Sequence, residues 1–242
     1  MAWFNKYATM ERYEKGLVLI LPGIEGWSVF NWLVAEGLAK GGVPYALEIH
    51  DWTTGFSLLF LWHLVARRRS RREAERVAVR IREYLREHPG RPVWVVGQSG
   101  GGGIAVFALE ALRDEENVEG AVLLAPALGQ EYDLTESLER TTRGIHHYYS
   151  HFDVFFQGLG TGIFGTMDRA YGSSAGRRGF KRPANLTSEG EELYASRLFQ
   201  VDCTRSMRRT GHVGLHLTSS HPGFIEQVVA PVILAARGEE ER

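Results

Sequence analysis

The stretch Val93-Trp94-Val95-Val96-Gly97-Gln98-Ser99-Gly100-Gly101 constrains this chain more than any other. A β-branched run breaks onto a serine flanked by glycines, and the helix-compatible segment Ile104 to Leu112 follows. The pattern predicts a buried strand, a sharp turn and a helix. A serine in such a turn adopts a strained φ/ψ with its Oγ lifted out of the sheet edge. The residues two before and two after it must be small, because side chains there would strike neighbouring backbone. Gly97 and Gly101 meet that need. The N–H of Gly100, at the helix start, is then placed to hold an oxyanion. A glycine-rich connection without chemistry could carry the same letters, so the rest of the chain must supply the serine's partners.

Short apolar runs alternate with helical patterns throughout, as expected for a mostly parallel sheet of about six strands covered by helices on both faces. The expected strands are Leu17–Leu21, Tyr45–His50, Val93–Gly97, Ala121–Ala125, Ile145–Ser150 and Leu198–Cys203. The expected helices are Val29–Ala39, Arg71–Glu87, Ile104–Arg113 and a last one near Pro222–Ala236. With 242 residues and no repeat, low-complexity tract or long linker, residues 1–242 read as one α/β domain. The Gly-, Arg- and Ser-rich segment Gly158 to Lys181 reads as a long surface loop. Only about 20 residues separate the strands at Ala121 and Ile145, which leaves no room there for a large helical lid.

A serine nucleophile needs a base, and the base needs an orienting acid. In a parallel sheet of this kind the acid is expected beyond a late strand and the histidine just before the last helix. Asp153 follows the fifth strand, two positions from the serine strand. Its rivals are Asp168, beside Arg169, and Asp133, which reads as an N-cap ahead of Thr135–Arg140. Among nine histidines, His146, His147 and His151 lie on or beside a strand, His50, His63 and His88 read as structural, and His221 as a cap before Pro222. The loop Gly211-His212-Val213-Gly214-Leu215-His216 occupies the base's place. His216 is favoured because the helix start anchors it, while the glycines around Val213 would let His212 swing; both remain candidates. For a second oxyanion donor, Leu21-Pro22-Gly23-Ile24 turns at Gly23 and would aim the N–H of Ile24 at the oxygen held by Gly100.

The formal net charge of −1 gives no reason to expect nucleic-acid binding. Cys203 is the one cysteine, which excludes an intrachain disulfide and fits a reducing, cytoplasmic compartment. Met1 to Thr9 has neither the basic start nor the apolar run of a secretory signal. His146, His147 and His151 lack a carboxylate or cysteine at metal-ligand spacing, and the serine chemistry needs no metal or organic cofactor. The apolar run Phe56 to Ala66, followed by Arg67, Arg68, Arg69, Arg71 and Arg72, is too short to span a bilayer, which takes roughly 20 residues. It reads either as a buried loop with a basic turn or as a peripheral membrane contact through 56–72.

With strand, elbow, acid, histidine loop and first-strand glycine in order, the chain resembles the α/β-hydrolase superfamily, from about Gly16 to its end. The motifs are Leu21-Pro22-Gly23-Ile24, Gly97-Gln98-Ser99-Gly100-Gly101, Tyr149-Ser150-His151-Phe152-Asp153 and Gly211 to His216. It looks most like small bacterial members of unassigned substrate, so the resemblance implies a triad but not a reaction. Gln98 stands where histidine is frequent, and the short Met1–Lys15 leaves little room for two further leading strands. The expected activity is hydrolysis of a small-molecule carboxylic ester or thioester through an acyl-Ser99 intermediate. Acyl transfer by the same residues, or a non-catalytic binding protein working through 56–72, are the alternatives.

Overall fold

In the computed structural model, residues 6–53, 67–153, 166–168 and 174–235 are described. The apolar segment Phe56 to Ala66, with His63, therefore lies outside the described residues. Six strands form one sheet in the order β2-β1-β3-β4-β5-β6, every neighbouring pair parallel. They are β1 (Leu17–Leu21), β2 (Ala46–Ile49), β3 (Val93–Gln98), β4 (Gly120–Leu124), β5 (Ile145–Tyr149) and β6 (Leu198–Asp202). Each lies within one residue of its expected bounds. Parallel strands covered on both faces need apolar side chains in both directions, and β1, β3 and β4 are buried throughout.

Two apolar layers flank the sheet. On one face the long helix Arg67–Glu87 lays down Ala74, Val77, Ala78, Ile81 and Tyr84 beside the helix Gly100–Glu110. On the other, the helix Val29–Lys40 meets the C-terminal helical stretch through Val34, Leu38, Ile225 and Val229. That last stretch runs through Pro222–Phe224, a π-helical Ile225–Val229 and Ala230–Ala235. Pro231 has no N–H to give the α ladder, and the widened turn lies directly before it. Among the described residues no helix is long and apolar enough to cross a membrane.

Chain order reverses between β1 and β3: β2 lies on one side of β1, while β3 to β6 spread to the other. The loops leaving the carboxyl ends of β1 and β3 therefore diverge and open a crevice, the usual ligand position in such sheets.

Two helices begin four residues earlier than expected, at Arg67 and Gly100, and the structure departs from expectation in three further places. The segment from Gly158 to Lys181 is not simply surface loop, because Met167, Ala175 and Phe180 are buried in the main core. The helix Ser188–Arg197, started by the Thr187 hydroxyl accepting from the Gly190 N–H (3.2 Å), has too weak a periodicity to be read from sequence. β6 is an exposed edge, with Phe199 42% accessible, although its apolar letters resemble those of the inner strands.

Candidate active site

At the end of β3 the chain turns at Ser99, whose φ of 51° and ψ of −117° lie in territory that non-glycine residues avoid. Three backbone hydrogen bonds hold the strain. Ser99 N–H donates to Leu124 O (2.9 Å), and Ser99 O accepts from Gly102 N–H (3.0 Å) and Ala127 N–H (2.9 Å). The glycines have the predicted reason. A Cβ on Gly97 would stand 2.5 Å from Gly101 O, and one on Gly101 would stand 2.2 Å from Leu21 O and 2.3 Å from Pro22 O. The helix begins at Gly100, so the run of four glycines belongs to the helix and not to a loop before it. Close backbone packing outweighs their weak helix propensity.

The loop after β1 reaches the same point. A Cβ on Gly100 would stand 2.8 Å from Ile24 Cγ2 and 3.0 Å from Trp52 Cζ2. Trp52 is fully buried, and its indole N–H donates to Pro22 O at 2.7 Å, which pins the loop. Ile24 and Gly100, the two expected oxyanion donors, are thus neighbours.

Asp153 and His216 meet from segments 63 residues apart: His216 Nδ1 lies 2.6 Å from Asp153 Oδ2. Both are buried, at 7% and 2% accessibility. His216 opens a 3-10 turn to Ser220, closed by the Ser219 hydroxyl donating to His216 O (2.8 Å). With the proton on Nδ1 toward the carboxylate, Nε2 is left as the basic nitrogen.

His212 does not swing. It is buried, its ring 4.7 Å from that of Phe224, and its Nδ1 donates to Thr218 Oγ1 at 2.9 Å while that hydroxyl donates to Leu215 O. Burial lowers its pKa to about 4, against the pull of Asp153. Asp168 is engaged elsewhere: its Oδ1 accepts from Gly129 N–H (3.0 Å) and the Thr166 hydroxyl, bracing one loop against another. Asp133 accepts from Thr135 N–H and hydroxyl one residue before the cap position Leu134, slightly off the expected N-cap. His221 caps as expected, accepting from Gly223 N–H at 3.2 Å. His147 is wholly buried on Gln200, His151 pairs with Asp202 at 2.8 Å, and His88 stacks on Tyr84.

One group at the crevice is absent from the sequence reading. Glu25 follows Ile24 and folds back over Gly23, with Oε2 2.2 Å from where a Cβ on Gly23 would be. Solvent reaches it, yet the surrounding protein raises its carboxyl above the usual range by desolvation, opposed by backbone N–H groups and by His216. Its place beside Ile24, an expected oxyanion donor, was the available signal.

A family profile described as serine aminopeptidase, S33, matches residues 75–183. Est1E from Butyrivibrio proteoclasticus has a similar structure, with TM-score 0.53 at 12% identity over 92% of this chain and 88% of that one. The acylaminoacyl peptidase of Pyrococcus horikoshii gives 0.49 at 12% identity, over 94% of this chain but 37% of that one. Carboxylesterase CesB of Bacillus subtilis gives 0.43 at 12%, over 91% and 84%. Only the first carries weight, and at that identity it speaks for fold alone. No curated protein matches the chain by sequence.

Proposed function

We propose that this chain, with its α/β-hydrolase-like fold, is a serine hydrolase of the α/β-hydrolase superfamily cleaving a carboxylic ester or thioester through an acyl-Ser99 intermediate. The observation that carries the reading is the buried Asp153–His216 pair at 2.6 Å, at the same sheet edge as the strained serine. A buried carboxylate against an imidazole is costly unless the two are paired, and the pairing orients the ring.

His216 Nε2 takes the Ser99 proton as Oγ attacks the acyl carbon. The N–H groups of Gly100 and Ile24 hold the resulting oxyanion. Collapse expels the alcohol or thiol, which leaves with the proton from His216. Water then attacks the acyl-serine, His216 takes its proton, and the carboxylic acid departs with Ser99 restored. Asp153 steadies the imidazolium in both halves. His212, fixed to Thr218, lines the site and does not serve as the base. No metal or organic cofactor enters these steps. Residues 1–242 act as one catalytic unit, and the single cysteine fits a cytoplasmic setting.

The test is labelling with a fluorophosphonate probe, followed by p-nitrophenyl esters of increasing chain length and an aminoacyl p-nitroanilide. Labelling at Ser99 with ester turnover is expected. Absence of labelling would favour a binding protein on this fold. Turnover of the anilide alone would make the enzyme a peptidase, and product formed only with an added alcohol or amine would make it an acyltransferase.

A further inference from the structure

Nine large apolar side chains are exposed among the described residues, and six lie on or directly beside the three segments that carry the proposed machinery. Trp27 and Val29 follow the Ile24 loop, Phe152 directly precedes Asp153, and Val213, Leu215 and Leu217 surround His216. Isolated exposed apolar residues are ordinary on any surface. Concentration at one edge, around one crevice, is not. Between residues 213 and 217 accessibility alternates, with Val213 43%, Leu215 57% and Leu217 38% outward while Gly214 and His216 are buried. A loop meant only to present a histidine to water would place polar residues at those outward positions.

The apolar lip is continuous with positive charge. Phe152 packs on the histidine loop, its Cδ2 3.1 Å from a Cβ built on Gly214, and the Arg208 guanidinium lies 5.0 Å from its ring centre. Backbone bonds from His212 N–H to Met207 O and from Gly211 N–H to Arg208 O (both 3.2 Å) tie that loop to the helix Arg205–Arg209. Arg205, Arg208 and Arg209 are all exposed. Across the crevice the long helix starts with the exposed Arg67, Arg68 and Arg72, and its Arg69 donates to Trp52 O (2.8 Å), beside the Ile24 loop. The acidic groups at this edge are fewer: Asp51 is tied to Thr53 and Asp202 to His151, and Glu25 is held back over Gly23.

We infer that this edge docks on an anionic lipid–water interface, so that the site takes its ester from that surface. Exposed aliphatic and aromatic side chains enter the headgroup–acyl boundary while flanking arginines meet anionic headgroups, and the two terms add. The substrate class rests on the hydrolase reading, but the docking does not.

The full-length Ser99→Ala protein, which cannot turn over lipid, is sedimented with phosphatidylcholine vesicles with and without phosphatidylserine. Binding only to the phosphatidylserine vesicles is expected, weakening as salt rises. Val213→Ser with Leu215→Ser, and separately Arg205→Gln with Arg208→Gln, should each lower the partition coefficient at least about tenfold. In the Ser99-containing protein both variants should leave hydrolysis of a short soluble ester unchanged. No vesicle binding would overturn the proposal, as would equal binding to both vesicle types. Binding lost with Arg67→Gln, Arg68→Gln and Arg72→Gln but kept in the loop variants would also overturn it, placing the contact on 56–72 alone. Vesicle binding without Ser99 labelling would leave the docking standing and remove the hydrolase.

Discussion

On the serine side of the crevice, Gly97, Ser99 and Gly101 lie within five residues, and backbone alone sets the closest approaches between them and β1. On the histidine side, Asp153 and His216 come from loops 63 residues apart and meet through side chains. The first half is a piece of local stereochemistry that packing preserves. The second exists only once β5, β6 and the C-terminal helix are assembled. Disturbance should therefore act differently on the two sides: backbone crowding in one, loss of a long-range pair in the other.

The largest effect expected is on activity. Ser99→Ala and His216→Ala should each lower kcat by several orders of magnitude, with thermal midpoints close to the parent. His212→Ala should be milder, through loop geometry. Burst kinetics on a p-nitrophenyl ester separates them, and a burst kept in His216→Ala but lost in His212→Ala would reverse the assignment. Next, Asp153→Asn should cost up to about 10⁴ in kcat by stranding the imidazole in the wrong tautomer. Asp168→Asn should leave kcat alone and cost about 1 kcal/mol of stability through its brace on Gly129. If Asp168→Asn were the more damaging to turnover, the pair at 2.6 Å would not be the working one.

Acid should weaken the histidine side first. His147 and His212 are neutral when folded, burial lowering each to about 4, whereas the unfolded chain protonates them near 6.5. Between those values the unfolded state holds more protons, so stability falls as pH falls from about 6.5 to 4. His147 alone contributes about 3 kcal/mol over the whole window. Denaturant midpoints at stepped pH should show the slope, and His147→Gln should flatten it; a slope unchanged by that substitution would remove His147 from the account. The smallest effect belongs to the serine side. Gly101→Ala, with its Cβ 2.2 Å from Leu21 O, should destabilise by about 2 kcal/mol with no added dependence on pH. An unperturbed melting curve would mean that β1 and the elbow are not held as closely as the geometry states.

Strand positions, a mostly parallel sheet and the elbow were legible because they follow from apolar runs alternating with helical patterns, from β-branching and from small residues at close approaches. Asp153 and the histidine loop were legible by place along the chain, though the choice between His216 and His212 rested on anchoring alone. The supposed freedom of His212 failed because Thr218 and Phe224, six and twelve residues on, close around it. Glu25 went unread because its character comes from surroundings that no local pattern contains.

By itself, then, the sequence determined where strands start and stop and which turn must be sharp, since those depend on each residue's own sterics and on its nearest neighbours. Tertiary structure alone decided which histidine meets which carboxylate, that Asp168 serves a brace, that Met167 and Phe180 enter the core, and that β6 stands exposed. Each depends on which side chains converge across tens of residues, and on the burial that convergence creates.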